Sequence, residues 1–161
     1  MKNDHLEPRD SVLEAGQPAP DFTLLDQSRG EWKLSEALKS GDVVLCFYPM
    51  AFTDVCASEM DCIHKEMADW QAKGAQLVGV SCDSFAVLAK WSELTGYRFP
   101  LLADMHRQVC KAYGLYWADL NISSRGTVVV TSGANGPEVK WSQGREVMKA
   151  MDWGEVMTAM G

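Results

Sequence analysis

With 161 residues, 47% of them hydrophobic, the chain has the size and content for one domain with a full apolar core. Fifteen basic against 22 acidic side chains leave a net charge of −7, so no basic excess exists to neutralise nucleic-acid phosphates or to hold an anionic membrane. No run reaches the roughly 18 apolar residues of a membrane span, and residues 1–10 are charged throughout without the apolar centre of a secretory signal, which predicts a cytoplasmic protein.

Residues 1–13 are polar and aperiodic and read as a flexible arm, leaving residues 14–161 as the single domain. Phe22–Leu25 and Glu31–Leu34 flank an Asp, Ser and Gly-containing stretch, a hairpin around Asp26–Gly30. Ser35 is expected to cap a short helix ending at Leu38. After Gly41 and Asp42, the β-branched and aromatic run Val43–Tyr48 is a buried strand stopped by Pro49, and the Gly- and Pro-free stretch Asp54–Lys73 is a long helix closed by Gly74.

Gln76–Ser81 is the next buried strand. Phe85, Leu88, Trp91 and Leu94 recur at spacings of three on a helix over Phe85–Thr95. A short strand at Phe99–Leu102 and a helix over His106–Tyr113, ended by Gly114, come next. Gly126–Val130 and Glu138–Trp141 are strands around a loop over Ser132–Pro137, and Val147–Met160 is the last helix, with Trp153, Val156, Met157 and Met160 on one face. This alternation is an α/β pattern, in which reactive groups gather beyond the carboxyl ends of strands, where Pro49 and Cys82 fall.

Cys56 sits in the first turn of the long helix. Unpaired amides and the positive dipole end stabilise an anion there, so Cys56 is a candidate reactive thiol rather than an inert core cysteine. Five cysteines, an odd number that cannot pair completely within one chain, read as reduced thiols. Cys62 and His64 are too few for a metal site by spacing, and no C-x-x-C argues for a dithiol oxidoreductase.

Pro49, Thr53 and Cys56 in the spacing P-x-x-x-T-x-x-C, with Glu59 three positions on, resemble the active-site signature of the peroxiredoxins. The string FYPMAFTDVCASE most resembles the one-cysteine alkyl hydroperoxide reductase E-type branch, with the bacterioferritin-comigratory-protein type next. Gln17–Phe22, Val80–Ser84, Phe99–Asp104 and Ser124–Thr127 resemble further family segments in the expected order.

The resemblance implies a thioredoxin-like fold with an N-terminal β-hairpin extension and a thiol-dependent peroxidase that needs no metal, haem or flavin. By the same resemblance Cys56 attacks the peroxide and becomes sulfenic acid, Thr53, Arg125 and the Cys56 amide hold the peroxide oxygens, Pro49 shields the thiolate, and Glu59 directs Arg125. Hydrogen peroxide, alkyl hydroperoxides or peroxynitrite are the implied substrates. A thioredoxin-like or low-molecular-weight thiol is the implied reductant, and a homodimer through the active-site edge the implied assembly.

Asp54 departs from the small residue expected of the E-type branch, and its charge opposes thiolate formation two residues later. Cys62, six residues after Cys56, could resolve the sulfenic acid only if the helix unwinds; Cys46, Cys82 and Cys110 read as core. A cysteine-based redox sensor or thiol-dependent interaction protein with poor turnover is the alternative reading.

Overall fold

The computed structural model describes residues 2–65, 67–146 and 152–160, apart from the side chains of Cys56, Glu59, Ile63, Met67 and Trp153. The N-terminal hairpin pairs β1 (Thr23–Leu25) with β2 (Glu31–Lys33) across a turn in which the Asp26 carboxylate accepts from the Ser28 and Gly30 amides. Helix α1 (Leu34–Ala37) follows without a turn. The cap expected from Ser35 is not made. The helix starts two residues earlier than such a cap requires, on buried Leu34, and Asp21 Oδ1 accepts from the Ser35 amide at 2.9 Å, a carboxylate at the positive end of the helix.

β3 (Val43–Phe47) is wholly buried and leads into α2 (Asp54–Lys65) and α3 (Met67–Ala72), which flank residue 66 within the single helix read from the sequence. β4 (Gln76–Ser81) lies parallel to β3. α4 (Phe85–Thr95) is capped by Ser84 Oγ, which accepts from the Val87 amide, and is closed by Gly96 at φ +75°. β5 (Leu101–Ala103) joins β4 in parallel, and α5 (Gln108–Ala112) precedes a separate two-stranded ladder of β6 (Tyr116–Trp117) and β7 (Ile122–Ser123). The sequence pattern gives no sign of that ladder.

β8 (Arg125–Gly133) and β9 (Gly136–Arg145) form a long hairpin. The loop expected over Ser132–Pro137 is instead mostly strand: Ser132 pairs with Pro137 and Gly133 with Gly136. Polar residues at an exposed hairpin tip keep the ladder while looking like a loop in sequence. Helix α6 (Trp153–Met160) ends the described chain, and the predicted helix start at Val147 lies outside the described residues.

The seven-stranded sheet runs β2-β1-β5-β4-β3-β8-β9. Side chains alternate along β3: Val43, Leu45 and Phe47 enter one core with α1 and α5, and Val44 and Cys46 enter another with Met60, Trp70, Leu88, Trp91 and Val156 of α2, α3, α4 and α6. Burial on both faces is why β3 reads as an unbroken apolar run. Residues before β1 lie on the first of these faces. Asn3 exchanges hydrogen bonds with Thr23, Leu13 is buried, and the Leu13 amide donates to Tyr113 O. Gly114 permits this approach: its φ is +72°, and a Cβ there would stand 1.8 Å from Ser11 O. Among the described residues no helix is long and apolar enough to cross a membrane.

Candidate active site

The antiparallel register of β3 and β8 sets the floor of the site. Phe47 faces Gly126, so Arg125 comes beside Tyr48, where the strand gives way to Pro49. Two-residue alternation places Arg125 on the Val129 face of β8, the face on which α2 packs. Arg125 is only 2% exposed, a permanent positive charge held at the end of the sheet.

Residues 49–53 turn the chain from β3 into α2. The Ala51 amide donates to Asp83 Oδ2 at 2.8 Å, and the Ser81 hydroxyl donates to the same oxygen at 2.8 Å, so the turn is moored to the end of β4. Phe52 adopts φ +65°, a left-handed conformation rare for an aromatic residue, and reverses the backbone. Thr53 O then accepts from the Ala57 amide at 2.8 Å, which makes Thr53 the residue that opens the helix. Asp54, Val55 and Cys56 form the first turn, whose amides have no partner within a helix.

The Thr53 hydroxyl donates to Met50 O at 3.0 Å. Its hydrogen is thereby committed, and toward a peroxide it is left with lone pairs that accept from an O–H. Pro49, Thr53 and Arg125 line one cavity of about 320 Å³ together with Met50, Asp54, Val55, Trp117, Leu120 and Ile122. Three of the sequence-predicted residues thus meet in one hollow. The backbone carries Cys56 in the first turn of α2 and Glu59 in the next, while the side chains of both lie outside the described residues.

Two contributions escape a reading of the sequence. The wall formed by Trp117, Leu120 and Ile122 belongs to the β6–β7 ladder, whose strands are too short to show a period. The second is Arg145, which pairs with Arg125 across the hairpin and donates from Nη1 to Thr127 Oγ1 at 3.0 Å. That pairing depends on a bulge. Val130 faces Val139 but Val129 faces Trp141, so Lys140 is the extra residue, and the shift brings Arg145 rather than Gly144 opposite Arg125.

Tyr97 braces the flank of α2, its hydroxyl donating to Asp61 Oδ1 at 2.5 Å and approaching Ala57 O at 3.4 Å. Burial and then the Asp61 carboxylate hold its phenol well above the usual tyrosine range. Of the other thiols, Cys62 is half-buried on α2 and Cys46 lies in the core beneath that helix. Cys82 and Cys110 lie in the core on the opposite face of the sheet.

A family model described as the AhpC/TSA family matches residues 15–135. Alkyl hydroperoxide reductase E of Mycobacterium bovis is 30% identical over 151 residues, covering 92% of this chain and 99% of that protein. Peroxiredoxin-2 of Cricetulus griseus is 38% identical over 125 residues, 71% of this chain and 63% of that protein. The crystal structure of peroxidoxin BcpB from Mycobacterium tuberculosis superposes with a TM-score of 0.79 at 26% identity, over 92% of this chain and 94% of that one. The reduced 2-Cys peroxiredoxin of Plasmodium vivax shares the fold, with a TM-score of 0.83 at 24% identity, over 92% of this chain and 80% of that one. A family model spanning most of the sequence, and a relative matched along nearly its whole length, place this chain in the AhpC/TSA family: it is a peroxiredoxin, a thiol-dependent peroxidase of thioredoxin-like fold.

Proposed function

We propose that Cys56 is the peroxidatic nucleophile and that Arg125, Thr53, Pro49 and Glu59 serve it. The Cys56 thiolate attacks one peroxide oxygen, the O–O bond breaks, and the departing group leaves as water or an alcohol after taking a proton, or as nitrite from peroxynitrite, with the sulfur left as sulfenic acid. The observation that carries this reading is a buried guanidinium, Arg125, in the cavity lined by the opening turn of the helix that bears Cys56. A helix N-terminus and a fixed cation favour thiolate over thiol, and the same cation stabilises the charge that grows on the leaving oxygen. Thr53 accepts from the hydroperoxide O–H, Pro49 keeps water from the sulfur, and Glu59 steers Arg125.

Hydrogen peroxide, alkyl hydroperoxides and peroxynitrite are the substrates of this reading. The apolar lining of Met50, Val55, Trp117, Leu120 and Ile122 suits an alkyl group. Recycling falls to an external thioredoxin-like or low-molecular-weight thiol. α2 is continuous from Asp54 to Lys65, so Cys62 lies about 9 Å along the axis from Cys56, too far for a disulfide without unwinding. Exposed Met50, Phe52 and Leu120 form an apolar rim that supports a homodimer through the active-site edge, and the cytoplasm is the reducing compartment that fits such a thiol. The test is turnover of hydrogen peroxide and of an alkyl hydroperoxide with a recycling thiol. Sustained turnover by the wild type and none by Cys56→Ser is expected. A single stoichiometric oxidation with no turnover under any thiol would favour a redox sensor.

A further inference from the structure

Three residues outside the peroxidase site converge on the opposite face of the sheet. Cys82 follows β4 and Asp104 follows β5, and the pairing of Ser81 with Ala103 holds the two strand ends together, with Cys110 delivered by α5. Their exposures are 7%, 1% and 0%, and one ligand atom from each lies within 4.8 Å of the others. The two sulfurs are 3.8 Å apart. Asp104 is gripped from its own turn: its carboxylate accepts from the Cys110 amide at 2.8 Å and the Val109 amide at 3.2 Å, and its amide donates to Ser81 O at 2.8 Å.

We propose that Cys82, Cys110 and Asp104 form a second site in this protein, one that binds a thiophilic divalent cation of the zinc type. Two thiolates about 2.3 Å from a tetrahedral zinc ion stand about 3.8 Å apart, which is the separation of these sulfurs. A disulfide needs about 2.05 Å, so both side chains would have to turn before a bond could form. Two sulfurs beside one carboxylate oxygen make a donor set that suits zinc, whereas magnesium and calcium take oxygen ligands and not thiolates. Each oxygen of the ligating carboxylate already accepts one amide and keeps a lone pair free, an arrangement that orients such ligands, and the two amides belong to the turn that carries Cys110. Arg107 O, 3.5 Å from Cys110 Sγ, or a water supplies the remaining place.

Binding releases the two thiol protons and sets a dipositive ion among three negative groups, which a dry core tolerates far better than the groups alone. The sites are separated by the sheet, so the ion is structural and takes no part in peroxide reduction. Sequence spacing hides the cluster, because 28 residues separate the two cysteines and each lies alone in its own segment.

The test uses the reduced full-length protein titrated with Co²⁺ alone, then with Zn²⁺ alone, in wild type, Cys56→Ser, Cys62→Ser, Cys82→Ala and Cys110→Ala. One equivalent of Co²⁺ should give a thiolate-to-cobalt charge-transfer band and the intense visible bands of a tetrahedral site, displaced by Zn²⁺. Both signals should persist in Cys56→Ser and Cys62→Ser and vanish in Cys82→Ala and Cys110→Ala at unchanged far-ultraviolet dichroism. Should either alanine variant fail to fold, alkylation mapping of the wild type decides, run in enough urea to open the buried cluster: Zn²⁺ should slow the reaction of Cys82 and Cys110 with a small thiol reagent. No tetrahedral spectrum in the wild type, a spectrum surviving both alanine variants or lost in Cys56→Ser, or no protection by Zn²⁺ would overturn the proposal.

Discussion

Arg125 and Asp54 line the same cavity with opposite charge, and in the proposed mechanism they act in opposite directions on the Cys56 thiolate. Arg125→Gln keeps much of the volume but removes the charge and the guanidinium's forked donors, so the second-order rate with hydrogen peroxide should fall by about 10²–10³-fold, the loss seen when one transition-state donor is removed. Stopped-flow tryptophan fluorescence reads this directly, and a rate within a few-fold of wild type would take Arg125 out of the mechanism. Asp54→Gly should act in the opposite direction. With the negative charge gone from the first turn, the thiolate absorbance of Cys56 near 240 nm should appear at lower pH than in wild type, and an unchanged titration would show that Asp54 is too well solvated to matter. Pro49, Thr53 and Arg125 were legible in the sequence because a local motif and a short segment carry them. Arg145 was not, because its place opposite Arg125 is set by a bulge at Lys140, which no periodicity announces.

At the scale of elements, α2 is held from the side by Tyr97, whose hydroxyl donates to Asp61 of that helix. Tyr97→Phe should lower stability by about 1 kcal/mol, or about 2–4 °C in Tm for a chain of this size, read by thermal unfolding at neutral pH. The pH dependence has a definite sign. The native phenol titrates above the ordinary value of about 10, because burial and then Asp61 penalise the phenolate. Its contribution is therefore complete below that pH and is lost as pH rises through the higher native value, so the difference between wild type and Tyr97→Phe should shrink above pH 10. A difference constant from neutral to strongly alkaline pH would contradict this brace.

The long buried strands and helix α4 were readable because their apolar pattern is strong over many residues. The start of α1 is not local in sequence, since the carboxylate that accepts from its first turn comes from Asp21, 14 residues before Ser35. The β6–β7 wall could not be read at all, being two residues to a strand.

For the whole molecule, the sheet sorts the thiols. Cys82 and Cys110 lie in the core on one face while α2 packs on the other, and Cys46 is enclosed in the core under α2. Cys62 shares a continuous helix with Cys56 and is carried away from it by the helical rise. In the proposed mechanism Cys62 reaches Cys56 only if α2 unwinds, and recycling falls to an external thiol. This distribution follows from strand alternation and pairing order, which bring together or separate residues far apart in sequence.

The assignment of Cys56 is tested most simply by the intact mass of the reduced protein after one equivalent of hydrogen peroxide, with Cys56→Ser in parallel and remaining thiols blocked afterwards. Wild type alone should gain one oxygen, mapped to Cys56. Loss of two hydrogens would contradict this expectation by revealing an internal resolving cysteine, and an equal gain in Cys56→Ser, or no change in wild type, would contradict the assignment of Cys56 itself.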